Sequence, residues 1–297
     1  MARSVGLAII VYIGALLLFD MMGLIIKYLV PTYRAAELSA YRNIFGVIPS
    51  VIALVTAPQW KRNGRKVKIR QWPLALFRGL IVAAAQLMFY LALGRIAFAT
   101  ATTISYSGGF FMVIFAVPLL GEKVGPVRWI AVLVGAVGVL MVTGLGRDAF
   151  TWDALLPVAA AALYTLSGVT ARLVDDDVPS ALLNLYSTFF AAFGSLAYVF
   201  ATGGFSPLLS VADLAWIVAM GVFGGCAVLA LIISFRMAEQ STLAPFSYFG
   251  IPIAFALGWL FYDEAPIADL FPGSLLIALG GLLIVWRERR LKILKDT

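Results

Sequence analysis

The sequence predicts an all-α membrane protein of ten transmembrane helices arranged as two inverted five-helix repeats, and three observations predict it. Of the 297 residues, 62% are hydrophobic and 12% are charged, where a soluble domain carries roughly 25% charged residues. Apolar runs of about 20 residues, the length that crosses a hydrocarbon core, recur along the whole chain. Residues of the first half return in the second at a nearly constant offset.

Taken in order, the runs of the first repeat (1–146) fall at about 5–29, 35–56, 73–95, 98–120 and 128–146. Those of the second (147–297) fall at about 154–173, 180–202, 213–235, 241–262 and 268–286, followed by a short basic tail. The first run contains Asp20 and has no small-residue cleavage site after it, so it reads as a retained helix. All runs should be helical, because a span in lipid must satisfy its own backbone hydrogen bonds and the short alternating segments of a barrel are absent. Pro49, Pro118, Pro157 and Pro252 lie inside runs and predict kinks.

Lysine and arginine set the orientation. Lys61, Arg62, Arg65, Lys66, Lys68 and Arg70 share one loop, Lys123 and Arg128 another, and Arg287, Arg289, Arg290, Lys292 and Lys295 the tail. These belong in the cytoplasm. The opposite loops hold Arg34, Arg95, Arg147 and the acidic Asp263, Glu264 and Asp269. An even number of spans then places both termini in the cytoplasm of a bacterial inner membrane. The same clusters account for the net charge of +7, so the expected partners are membrane lipid and a small-molecule substrate, with no nucleic acid; a monomer suffices. The single cysteine, Cys226, and the absence of histidine leave no disulfide, no metal site of the usual kind and no histidine proton relay. No cofactor is implied.

The repeat carries the functional reading. At an offset of 142, Gly79 meets Gly221, Ser105-Tyr106 meets Ser247-Tyr248, Glu122 meets Glu264 and Gly138 meets Gly280; at 145, Lys27 meets Arg172 and Phe45 meets Phe190. Five spans per half is an odd number, so the second half lies upside down. Inverted repeats build secondary transporters, whose cargo sits near the midplane between halves that rock.

The stretch from Phe77 to Val142, with Arg78, Ala-Leu-Gly-Arg95, Gly121-Glu122 and Gly135/Gly138, resembles the EamA family of the drug/metabolite transporter superfamily, and "APFSYFGIPIAFALGWLFYDEAP" repeats the pattern in the second half. The resemblance covers nearly the whole chain and is greatest to YddG-type exporters. It implies export of neutral or aromatic amino acids by alternating access through a central cavity. Ser107-Gly108-Gly109 stands where the family commonly has a proline-type break.

Charges inside spans are costly and need partners or water. Asp20 and Arg42 both fall about 5 Å outward of the midplane, at ~1.5 Å per residue. They could pair with each other, or Arg42 could receive a substrate carboxylate and Asp20 an amine or a proton. Lys27 should snorkel to the outer headgroups, and Arg78 and Arg95 should anchor the ends of the third span. Glu122 and Glu264 end the fourth and ninth spans on opposite sides, as gates or as plain interfacial carboxylates. Gln86 and Tyr90 share a helix face; with Ser105, Tyr106, Tyr164, Ser247 and Tyr248 they place hydroxyls, an amide and rings at mid-depth, suited to an amphiphilic ligand or to helix-to-helix bonding.

A membrane enzyme or a channel is the alternative. An enzyme would need clustered catalytic groups in a wet loop, and only Asp175, Asp176 and Asp177 cluster. A channel would need a selectivity filter, and ATP-driven transport a phosphate loop; the sequence has neither.

Overall fold

The computed structural model describes residues 2–62, 64–65, 67–121, 125–144, 151–175, 178–237 and 243–296. Glu122 lies outside the described residues. All regular structure among the described residues is helical. The first half of the chain holds α1 (Ala2–Leu29), α2 (Ala35–Thr56), the short α3 (Pro58–Arg62), α4 (Trp72–Leu93), α5 (Phe98–Ser105), α6 (Gly108–Leu120) and α7 (Pro126–Thr143). The second holds α8 (Leu155–Thr170), α9 (Ser180–Ala201), α10 (Val211–Met237), a 3₁₀ segment Ala244–Phe249, α11 (Gly250–Tyr262), the short α12 (Ile267–Leu270) and α13 (Gly273–Asp296).

Seven helical stretches are long and apolar enough to cross a membrane, and three shorter apolar helices, Trp129–Thr143, Phe246–Tyr262 and Gly273–Leu283, accompany them. Each expected run is helical over most of its described residues. The fourth run is broken, since α5 ends at Ser105 and α6 begins at Gly108. The prolines divide into two kinds. Pro49 and Pro118 sit inside α2 and α6. Pro157 and Pro252 instead occupy the first turns of α8 and α11, just after the 3₁₀ segments Trp152–Ala154 and Ala244–Phe249 that lead into them. Within α2, the Ser50 hydroxyl donates to the Gly46 carbonyl at 3.0 Å, adding a bond beside the proline.

α1 packs on α10, and α4 on α8; α2 packs on α10, and α4 on α9. α2 also meets α9, α7 meets α13, α5 meets α11, α6 meets α8 and α1 meets α11. Glycines let these helices approach closely, the usual device where lipid supplies no hydrophobic drive between helices. A Cβ on Gly221 of α10 would lie 2.3 Å from Phe45 Cβ of α2, and one on Gly79 of α4 would lie 2.5 Å from Phe190 Cβ of α9. Between α7 and α13, a Cβ on Gly138 would lie 2.7 Å from the Gly273 oxygen and one on Gly280 2.8 Å from the Ala131 oxygen.

Candidate functional site

A cavity of about 530 Å³ lies between the helices, bounded by residues of α1, α2, α4, α5, α8, α9 and α10 and by Tyr106 at the break between α5 and α6. Of the sequence-predicted residues, Asp20, Arg42, Gln86, Tyr90, Ser105, Tyr106 and Tyr164 line it. Tyr164 is 38% exposed, and that surface faces the cavity. Phe19, Phe89 and Phe98 complete an aromatic lining. Ser247 and Tyr248 are not part of the wall. The Tyr248 hydroxyl packs over Gly281 of α13, and its ring stands 6.3 Å from that of Tyr106. Tyr106 in turn seats its hydroxyl against Gly250.

The expected Asp20–Arg42 ion pair does not form. Asp20 is 5% exposed, and its Oδ2 has no hydrogen-bond partner among the described residues. Arg42 donates from Nη1 to Asn43 Oδ1 at 3.2 Å, while its buried Nε has no partner. Its guanidinium rests on glycine: a Cβ on Gly224 would stand 3.1 Å from Nε and one on Gly46 would stand 3.6 Å from Nη1. The hydroxyls of Tyr90 and Thr102, both on the wall, are also buried and unpartnered. Buried polar atoms are nearly always paired, so an acid oxygen, a guanidinium N–H and two hydroxyls left unpaired among the described residues set this part of the lining apart.

Gln86 has less to offer. Its Oε1 accepts from Asn43 Nδ2 at 2.7 Å and from Ser39 Oγ at 2.8 Å, and its Nε2 donates to Asn43 Oδ1 at 3.1 Å. This reciprocal amide pair is a wall. On its far side lies a second, mainly apolar recess of about 320 Å³ between α2, α4 and α9, lined by Ser39, Ser195, Leu80, Ala83 and Gly194.

Arg78 is no interface anchor. It is buried at 8% exposure and lines the cavity, donating from Nε to Ser187 Oγ at 3.4 Å, and from Nη1 to Thr170 Oγ1 at 3.4 Å and to the Ser167 carbonyl. Asn43, Asn184, Ser187 and Thr188 also line the cavity and escape the sequence reading. Their signal was present as polar residues at helical spacing within apolar runs, Ser39–Asn43–Ser50 and Asn184–Thr188–Ser195. Arg95, at the other end of α4, is half-exposed and pairs with Asp153 at 2.7 Å.

Lys27 is no snorkelling residue either. Its Nζ pairs with Glu264 Oε1 at 2.7 Å, donates to the Ile96 carbonyl at 3.0 Å and stands 5.3 Å from the centre of the Tyr262 ring. Glu264 Oε2 accepts the backbone N–H of Phe98 at 2.8 Å, capping α5. Local structure explains the placement. α11 ends on Asp263 in the left-handed conformation, φ 54°, and the Glu264 N–H returns to the Gly258 carbonyl at 3.2 Å, so Glu264 turns back across the helix end. The Phe98 ring packs against Gly23, where a Cβ would lie 2.8 Å away, and both line the cavity. One carboxylate therefore ties α1, α5 and α11 together at one end of the cavity.

Residues 6–144 match the EamA-like transporter family. Over 240 residues, 80% of this chain and 78% of the relative, the sequence is 28% identical to a riboflavin transporter of Rhizobium johnstonii. It is 24% identical to an S-adenosylmethionine uptake transporter of Rickettsia bellii over 89% of this chain and 88% of that protein. A pseudopaline exporter of Pseudomonas aeruginosa is 22% identical over 88% of this chain and 90% of its own. One solved crystal structure superimposes with a TM-score of 0.65 at 20% identity, covering 96% of this chain and 99% of the other, a likeness of fold alone.

Proposed function

The chain belongs to the EamA-like transporter family of the drug/metabolite transporter superfamily, and from that premise we propose that it is a secondary transporter whose cargo is a metabolite with an amino-acid head and an apolar or ring-bearing body. The relatives are named for three different cargoes and for both uptake and export, so the cargo has to be read from the cavity. The observation that carries the reading is the pair of unmet opposite charges, Asp20 Oδ2 and Arg42 Nε, on one wall with six aromatic rings. Asp20 receives the ammonium, and Arg42 with the Tyr90 hydroxyl receives the carboxylate. Phe19, Phe89, Tyr106 and Tyr164 take the apolar part. Neutral and aromatic amino acids are the smallest cargo of this kind, and export is the direction proposed.

Alternating access follows from a two-repeat, ten-span reading. Exchanging each span with the one five places along turns the α1–α10 contact into α8–α4, α2–α10 into α9–α4, and α6–α8 into α11–α1, all of which occur. It also turns Gly221–Phe45 into Gly79–Phe190. In this reading both termini and the loop at 57–71 face the cytoplasm of a bacterial inner membrane, and Lys27–Glu264 is the outer gate.

Counterflow in proteoliposomes tests the proposal. Labelled L-phenylalanine should accumulate against excess unlabelled L-phenylalanine. Failure with phenylalanine, tyrosine, tryptophan and leucine alike would sink the amino-acid reading, and a chemically altered product would make the protein an enzyme. The Rhizobium relative favours a second reading, riboflavin as cargo; riboflavin accumulating in the same vesicles while amino acids do not would select it.

A further inference from the structure

Among the described residues, the lining of the cavity carries three charged side chains, Asp20, Arg42 and Arg78, and so one positive charge in excess. An amino-acid head neutralises Asp20 and Arg42 and leaves Arg78 unanswered. Arg78 forms no ion pair among the described residues. Its acceptors are two hydroxyls and a carbonyl, reached from Nε and Nη1; its second terminal nitrogen, Nη2, bonds to none of the described residues. An uncompensated guanidinium at hydrocarbon depth is costly to keep. A purely structural tie would be served as well by a neutral donor.

The two arginines stand at different depths. Arg42 adjoins Asn43, whose amide is bonded to Gln86 of α4. Arg78 precedes Gln86 by eight residues on the same helix, ~12 Å along its axis. Arg78 touches Ser187 of α9, and the same helix brings to the cavity wall the Thr188 hydroxyl and the Asn184 amide, whose Nδ2 donates to Ser50 Oγ at 3.3 Å; such groups accompany guanidinium in binding a carboxylate or phosphate.

We propose that Arg78, with Asn184, Ser187 and Thr188, is a second anion site, and that the cargo is an amphoteric anion bearing one amine and two acidic groups at opposite ends of its body. The inference rests on the proposed placing of the amino-acid head at Asp20 and Arg42. Such a cargo brings the occupied cavity to neutrality, which a simple neutral amino acid does not.

The test compares L-phenylalanine, 4-methyl-L-phenylalanine and 4-carboxy-L-phenylalanine, which share a head and differ only at the para position, in counterflow with the wild-type protein. The expected result is a half-saturating concentration at least about tenfold lower for the carboxy compound than for the methyl one. Arg78→Gln should bring that ratio below about twofold, whatever its absolute rate, and Arg78→Lys should give an intermediate ratio, because lysine keeps the charge and loses the planar fork. Equal or weaker handling of the carboxy compound by the wild type, with phenylalanine exchanged, overturns the second site and leaves the head site standing. Exchange of none of the three overturns both. A preference that survives in Arg78→Gln overturns the assignment to Arg78; if that variant does not fold, the wild-type ratio and Arg78→Lys still decide.

Discussion

Gly221 and Phe45 meet so closely that a Cβ on the glycine would stand 2.3 Å from the Cβ of the phenylalanine. The contact joins α10 to α2 on the flank of the cavity, one turn of α10 away from the Gly224 notch that seats the Arg42 guanidinium. Its twin, Gly79 against Phe190, joins α4 to α9. Helix packing at these two points therefore sets the positions of both cavity arginines.

Gly221→Ala should destabilise the protein by about 1–3 kcal/mol, the usual cost of an extra methyl in a packed contact. Thermal unfolding in detergent measures it. Phe45→Gly in the same chain removes the colliding Cβ, so the added methyl should cost less there than in the wild type, and an equal cost in both backgrounds would show that the contact is not the cause.

Gly224→Ala should act differently. The added methyl falls 3.1 Å from Arg42 Nε and 2.6 Å from Met22 Sδ, so it displaces the guanidinium more than it disrupts the helices. The expected outcome is a transport loss of about tenfold, corresponding to about 1.4 kcal/mol, with a much smaller change in melting temperature.

Arg42→Ala should reduce transport more than it reduces folded yield. Counterflow rates normalised to purified, monodisperse protein give the comparison; equal losses in both would make Arg42 a structural residue.

Breaking the Lys27–Glu264 pair should open the cavity at that end. In a Cys226→Ser background carrying Thr102→Cys, a membrane-impermeant maleimide should label faster when Glu264→Gln is added, because α5 loses its carboxylate cap and α1 loses its tie. The side chains are only 12% and 26% exposed, so the stability cost should exceed the ~1 kcal/mol of an exposed pair and approach the ~3 kcal/mol of a buried pair that loses one partner. Unchanged labelling would remove Glu264 from the gate.

Orientation is open to the same chemistry. Val67→Cys and Leu208→Cys, at residues 59% and 43% exposed, should react from opposite faces of sealed spheroplasts, the second from outside. Reaction of both from one face would contradict the proposed topology.

Helix limits were legible where polar punctuation is dense. α2 runs Ala35–Thr56, as the flanking Arg34 and Pro58 foretell. The break at Tyr106–Ser107 falls beside Ser107-Gly108-Gly109, where the family resemblance placed a break, but the residues alone did not show it, because they form one apolar and hydroxylated run; there the Tyr106 hydroxyl seats against Gly250. Seven residues of the cavity wall could be found from depth and residue type alone. Depth does not give direction around a helix, however. Asp20 and Arg42 share a level, but α1 packs on α10 while α2 packs on α9 and α10, so the two face the cavity without pairing. Lys27 finds its partner 237 residues away, at Glu264, beyond the reach of any local pattern. Arg78 resembles an interface anchor by its nearness to Trp72, yet it lies more than one turn inside α4, against α8 and α9.

The amide pair Asn43–Gln86 leaves the two chambers of the protein separated by a single layer of side chains. Each amide is satisfied chiefly by the other, so the partition holds together as a unit and cannot yield on one side only. A cargo crowding the larger chamber and a hydrocarbon tail filling the smaller one would press on opposite faces of the same two residues. The two recesses are thus coupled through one pair of amides, so that filling either is felt in the other.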